Sequence, residues 1–366
     1  MTRVEININP KILRWAREEA GYDQSEIAGR VDITVDRYKL WENEGKNIPL
    51  GKLKTIANTY QRQLAVFLLP TVPDKIFKPK DYRNLSSTES RLSPKTLGVI
   101  REVTYLRETA FELHGETYWK ERYEWIDNAK IKVNDSASFS LQLRELLNIS
   151  IEDQMKWGTE NEAYRNWRSA VEDRLGIFVF QFAMPMNEVH GFCSNNAYPY
   201  AIVTNSNHSY AGRIFTIFHE LAHILRQQSG MCLFENATEK QKDEWECNEF
   251  AGYFLAPEQF IEKTYDLRAI THYASKLKIS REVYLRRMKE ENKISNTMFF
   301  NLLDEIKTTY KPKTKKGFVK PEVKSRASRG VTFFTMILDA MYSNQISYTK
   351  ASNDLDLNIS TLLREV

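Results

Sequence analysis

A chain of 366 residues, 42% hydrophobic and 27% charged, has material for two or three domains with apolar cores. Its formal net charge of +4 neither requires nor rules out a nucleic-acid partner. No apolar run nears the roughly eighteen residues of a membrane span, the opening Met1-Thr2-Arg3-Val4-Glu5 has no leader-like stretch, and Cys193, Cys232 and Cys247 show no Cys-x-x-Cys spacing; these features predict a cytoplasmic protein with free thiols.

Residues 10–66 read as a series of short helices. Pro10 opens the first, through Ile12, Leu13, Trp15 and Ala16, and Gly21 stops it. Asp23-Gln24-Ser25-Glu26 is a capping-box start for a second, and Thr34 caps a third over Val35–Glu42. Two short helices joined by a tight turn, the later one carrying Thr34, Arg37 and Lys39, form a helix-turn-helix pattern. Gln24 is a candidate phosphate contact and Arg37 a candidate base contact on double-stranded DNA. From Met1 to Val66 there are 11 Lys/Arg against 9 Asp/Glu, and Asp32 and Asp36 lie where phosphates would repel them. The competing expectation is a helical domain kept for dimerisation or for gripping a protein. The oligomeric state is left open, with a dimer one option.

Pro70 and Pro73 end this segment. Ser93-Pro94 starts a long helical stretch to about Trp125, whose aromatics (Tyr105, Phe111, Tyr118, Trp119, Tyr123, Trp125) follow an amphipathic pattern that predicts packing, not base stacking. Further helix is expected over 137–148 and 160–175, ended by Gly176. The period then changes: Ile177–Phe182, Gly191–Cys193 and Ala201–Thr204 read as three short strands.

Residues 219–223 read His219-Glu220-Leu221-Ala222-His223. In a helix, positions four apart share one face, so two imidazoles one turn apart can share a tetrahedral cation, and Glu220 can reach a water bound to it. The same string would occur by chance on a solvated helix. Here Ile214, Phe215, Ile217, Phe218, Leu221, Ile224 and Leu225 leave almost no polar face, so the helix should be buried, and buried imidazoles need something to satisfy them. A third ligand is expected downstream, in Glu244-Trp245-Glu246-Cys247-Asn248. Glu244 is preferred because Asn248 then lies one turn behind it, able to hold a ligand imidazole from outside the coordination sphere; Glu246 is the rival. Zinc suits this donor set, though manganese or iron would also fit. Glu220 is the expected general base. His190, His208, Tyr210 and Arg213 are candidates to stabilise the oxyanion.

Beyond Tyr310, Lys311–Arg326 holds 7 Lys/Arg and one acid and reads as a solvated basic linker. Val331–Leu338 and Ser347–Leu363 read as a small helical appendage.

The strings Phe215-Thr216-Ile217-Phe218-His219-Glu220-Leu221-Ala222-His223 and Glu244-x-x-Cys247-Asn248-x-Phe250-Ala251-x-x-x-Leu255-x-Pro257 resemble the ImmA/IrrE family of metallopeptidases, with Cys247 where that family commonly has Ala. The N-terminal stretch, including Trp41-Glu42 and Pro49-Leu50-x-x-Leu53-x-x-Ile56-Ala57, resembles the Cro/repressor-like (XRE) helix-turn-helix family, and Asp81-Tyr82-Arg83 is similar to a short motif found where family members leave that domain. The resemblance implies a zinc endopeptidase that cleaves a repressor-like protein, itself typically a helix-turn-helix regulator, to switch on a stress or mobile-element response. It also implies a small antiparallel sheet packed on the active-site helix. The expected fold is mainly α with a small β component (α+β). Its expected parts are a helix-turn-helix domain over 1–70, a linker and long helix over 71–130, a zincin-like domain over 131–308, and a basic linker with helical C-terminal region over 309–366. The alternative is a DNA-binding regulator or antitoxin-like protein whose protease half acts as a sensor.

Overall fold

The computed structural model describes residues 4–73, 92–128, 136–226, 238–309 and 319–364. Asp81-Tyr82-Arg83, Cys232, most of the loop between His223 and Glu244, and the first half of the basic segment lie outside the described residues. Its elements fall into two units, Met1–Thr104 and Tyr105–Val366.

In the first unit β1 (Glu5–Ile6) pairs antiparallel with β2 (Ile48–Pro49), a pairing too short to leave a periodic signal. Four helices follow the expected punctuation. Helix α1 (Pro10–Ala20) is capped by the Asn9 side chain, which accepts from the Lys11 backbone N–H, and is closed by Gly21 at φ 76°. Helix α2 (Gln24–Val31) carries the Asp23/Glu26 capping box. Helix α3 (Val35–Glu44) starts on Thr34, whose hydroxyl accepts from the Arg37 N–H. Helix α4 (Leu50–Thr59) and a 3-10 turn, Leu64–Leu68, complete the unit. Leu13, Ala16, Ile27, Tyr38, Trp41, Leu53, Ile56 and Tyr60 form its core. Glu42 is buried among them and is held by Arg17 Nε at 2.6 Å and Gln24 Nε2 at 2.7 Å.

The unit boundary falls inside α5 (Pro94–Asn128), which begins with Pro in its first turn and departs from helical geometry at Gly115 (φ 76°, ψ 173°). In the second unit the α5 aromatics pack, as their pattern predicts: Trp119 stacks on Tyr123 and meets Phe178 edge-on, and Tyr123 donates to the Gly176 carbonyl at 2.7 Å. Helices α6 (Ser136–Leu147), α7 (Ile151–Lys156) and α8 (Glu160–Ala170) follow; one π turn, Val171–Leu175, lengthens α8 until Gly176 stops it at φ 74°.

Strands β3 (Phe178–Phe182), β4 (Gly191–Ser194) and β5 (Ala201–Asn205) form the sheet in the order β3-β5-β4. Here the structure corrects one expectation. The sheet is mixed: β4 and β5 are antiparallel, with Cys193 opposite Ile202, but β3 and β5 are parallel, with Phe180 opposite Val203. A fully antiparallel sheet presumes that consecutive strands are neighbours. Instead β5, buried along its whole length, takes the centre, where both faces are covered. The short β4–β5 connection permits only antiparallel pairing there. That connection is gripped by buried Arg107, which donates to the Pro199 carbonyl at 2.6 Å and to the Ala197 carbonyl.

Helix α9 (Tyr210–Leu225) packs on β4 and β5, and α10 (Thr238–Leu255) packs on α9. Helices α11 (Leu267–Lys276), α12 (Arg281–Glu290) and α13 (Asn296–Thr308) follow. The last four, α14 (Pro321–Arg329), α15 (Val331–Tyr342), α16 (Tyr348–Asp354) and α17 (Ile359–Leu362), are built into the unit's core. Phe333 packs edge-on against Phe178 and Phe180, and Arg168 donates to the Ala327 carbonyl at 2.6 Å. No described helix is long and apolar enough to cross a membrane.

Candidate metal centre

Ser209 caps α9 by accepting from the Gly212 N–H, and from there nearly every side chain of the helix is buried. Three aromatics from three helices lock its rotation: Phe218 of α9, Trp167 of α8 and Phe254 of α10, with ring centroids 4.2 to 5.4 Å apart. Because Phe218 precedes His219 and Phe254 lies on the helix of Glu244, this cluster sets the registry between the helices that carry the polar site.

His219, His223 and Glu244 converge. The Nε2 atoms of the two imidazoles are 3.2 Å apart, and the Glu244 carboxylate lies 3.2 Å from His219 Nε2 and 3.5 Å from His223 Nε2. Four ligands about 2.0–2.1 Å from a tetrahedral zinc ion are separated by about 3.3 Å, so the three donor atoms already have the spacing of a tetrahedron's corners. Among the described residues these three are the group of histidine, cysteine and acidic side chains able to enclose a metal ion. The donor set of two neutral nitrogens and one carboxylate fits a divalent cation with a coordination position left for water.

Glu246 is turned elsewhere: its carboxylate pairs with Arg226 at the end of α9, which also reaches Asp243 at 3.5 Å. Asn248 is half-buried one turn beyond Glu244. The Nδ1 atom of His219 is buried without a hydrogen-bond partner, so Asn248 does not hold that ring.

Glu220 is 3% exposed, on the sheet side of α9. Its carboxyl is raised well above the usual range, first by burial, then by the Cys193 thiol and the Glu244 carboxylate nearby, while a hydrogen bond from the Cys193 backbone N–H opposes the rise. One carboxylate oxygen, Oε2, is buried with no partner. The part played by Cys193 has no signal in the sequence, where it reads as one of three unpaired thiols.

The four oxyanion candidates separate. Arg213 is buried and donates to Gln181 Oε1 at 2.8 Å and to the carbonyls of Ser206 and His208 at 2.7 and 3.0 Å, bracing the strand ends. Tyr210 lies under that guanidinium, 4.5 Å from ring centre to Cζ. The His190 and His208 rings meet edge-on at 4.9 Å. The His190 imidazole is lowered, first by desolvation and then by His219.

In the first unit, Thr34, Arg37 and Lys39 are exposed at and along α3. Arg37 lies over the Trp41 ring at 5.8 Å. Gln24 is half-buried with its amide committed to Glu42.

Strand β4 approaches α9 so closely that only glycine fits at 191. A Cβ there would lie 2.3 Å from Thr216 Cγ2 and 2.4 Å from the Val203 carbonyl oxygen. The second contact is with backbone and cannot be relieved by a side-chain rotation. Gly191→Ala is therefore expected to destabilise the second unit by about 1–3 kcal/mol, the usual cost of overpacking, as read from chemical denaturation.

Residues 172–289 match the peptidase M78 family model, described as the IrrE N-terminal-like domain. Residues 13–67 match a helix-turn-helix family model. The first match spans the sheet, α9 and α10; the second spans α1 to α4. No curated protein and no solved structure matches the chain. The two matches lie in the order that the sequence resemblance implies, a stretch similar to helix-turn-helix regions followed by one similar to the IrrE N-terminal-like peptidase domain.

Proposed function

We propose that this metallopeptidase domain is a zinc-dependent endopeptidase that cleaves a repressor-like regulatory protein and so switches on a stress or mobile-element response. The observation that carries the reading is the convergence of His219, His223 and Glu244 beside a buried carboxylate, Glu220, with a free oxygen. Zinc held by the two Nε2 atoms and the Glu244 carboxylate would supply Lewis acidity, lowering the pKa of water and polarising a peptide carbonyl. Glu220 takes the proton of the attacking water on Oε2 and delivers it to the leaving amine nitrogen. Burial keeps bulk water from competing for that proton, and a carboxyl raised by its surroundings is a better base than an exposed one. Strand β4 has β5 on one side and no strand on the other among the described residues, so an extended substrate can add to that edge and lay its backbone beside α9.

The test is incubation with the helix-turn-helix repressor encoded nearby, with and without a chelator. One discrete, chelator-sensitive cut supports the reading; an intact repressor under all metal conditions removes the proposed substrate class.

A second reading, a DNA-binding regulator with a sensing protease half, draws on the exposed Thr34, Arg37 and Lys39 of α3, with Gln24 at the start of α2 as a further contact. Regulation that survives Glu220→Gln but is lost with Arg37→Ala would favour it over the endopeptidase.

A further inference from the structure

Away from the metal centre, the second unit carries a cleft of about 550 Å³, a volume in the range of small-molecule sites. Helix α15 forms one wall, where Thr332, Thr335, Met336, Asp339 and Ser343 recur at helical spacing and so share a face. Leu113 and His114 of α5, just before its break at Gly115, line the cleft opposite, together with Asp173 of the π turn. The two carboxylates stand apart. Asp173 is fixed near Thr332, accepting from the Ser169 hydroxyl at 2.8 Å and from the Thr332 hydroxyl at 3.1 Å. Asp339 lies seven residues beyond Thr332, two helical turns or about 10 Å along the wall. It is exposed, and no ion pair holds it among the described residues. Leu113, Met336 and Ala340 supply apolar surface in the same cleft. Arg122 donates to the backbone carbonyls of Glu172 and Asp173, at 3.4 and 3.3 Å, and leaves the Asp173 carboxylate uncompensated. His114 stacks on Tyr118 at 4.4 Å, and its imidazole is lowered by burial and then by Arg122, so near neutral pH it presents a ring and not a repelling charge.

We propose that this cleft binds a linear organic dication of the polyamine class, with one ammonium group on Asp173, the other on Asp339 and the methylene chain along Leu113, Met336 and Ala340. Spacing selects the ligand. Two carboxylates about two helical turns apart cannot share one metal ion, whose oxygen ligands all lie about 2.0–2.6 Å from it. An anion would meet two like charges, and a neutral molecule would leave both without a counter-charge. A single ammonium on an exposed carboxylate gains little in water. Two ammonium groups on one chain change that, because once the first end is held the second contact is intramolecular. The bounded volume suits a small molecule and not an extended polypeptide.

Calorimetric titration of the protein with spermidine tests this, and one saturable site is expected. Asp339→Asn, an exposed change with no ion pair to lose, weakens binding by about tenfold to a hundredfold, the worth of one charge-assisted hydrogen bond. Thr335→Trp keeps every charge but fills the cleft, and abolishes binding; thermal melting shows that both variants are folded. Ethylenediamine, whose ammonium groups are too close together to reach both carboxylates, binds at least about tenfold more weakly than spermidine. Asp304→Asn removes the same charge from α13, outside the cleft lining, and leaves the affinity as it was. Absence of spermidine binding, equal weakening by Asp304→Asn, or an affinity unchanged in Asp339→Asn or Thr335→Trp overturns the proposal. A trilysine peptide that binds more tightly than spermidine and is weakened equally by Asp339→Asn also overturns it, and gives the cleft to a basic segment of a protein partner.

Discussion

Glu220→Gln is expected to reduce repressor cleavage by about 10²–10⁴-fold while the protein stays folded and keeps its metal, the range in which general-base catalysis contributes. The substitution is nearly isosteric and takes away only basicity. Because Glu220 is buried and its carboxyl is pushed up chiefly by burial, a neutral amide at the same place avoids the desolvation of a charge. Stability should therefore hold or rise slightly. Cleavage rate, zinc content and thermal melting, measured on one preparation, separate the possibilities. Activity within tenfold of the parent protein would remove Glu220 from the chemistry, and loss of zinc would show that it acts on the ligands instead.

The second large effect is expected from His223→Ala. His223 is 3% exposed and contributes one of three converging donors, so its loss leaves a bidentate site and a cavity beside His219 and Glu244. Zinc bound by the native state alone stabilises it by about 2.7 kcal/mol when present at a hundredfold excess over its dissociation constant. For a unit of this size that corresponds to a melting temperature about 5–10 °C higher. The parent protein should show this metal-dependent rise and His223→Ala should not. Glu246→Gln is the informative control. Its carboxylate is spent on Arg226, so the variant should keep the zinc-dependent rise although it loses an ion pair. A rise abolished by Glu246→Gln and preserved by Glu244→Gln would reverse the assignment of the third donor.

The legible parts of the chain are those governed by local rules. The capping box at Asp23, the Thr34 cap, the stops at Gly21 and Gly176 and the change from helical pattern to short apolar runs after Gly176 each depend on a few neighbouring residues, and each stands where the sequence puts it. The pairing of His219 with His223 belongs to the same class, since a spacing of four on a helix dictates proximity. The choice between Glu244 and Glu246 does not. Both lie on one helix, and what separates them is the direction α10 faces when Phe254 packs on Phe218 and when Arg226 captures the other carboxylate.

Strand order lies further out of reach. The short apolar runs Ile177–Phe182, Gly191–Cys193 and Ala201–Thr204 identify strands but carry no record of which neighbours which, so an antiparallel meander and the observed mixed sheet are equally compatible with them. The candidate DNA contact Gln24 is a similar case. Its position at the start of α2 is local, but its engagement by Glu42 depends on how α3 packs against α1 and α2.

By itself, then, the sequence determines the helices, their ends, the two histidines one turn apart and the acid between them, because backbone hydrogen bonding and side-chain periodicity act over a few residues. Only the tertiary structure decides which glutamate closes the cluster and which strand lies in the middle of the sheet. Those outcomes depend on packing between segments distant in the chain, where burial and close contact, not spacing, select the partner.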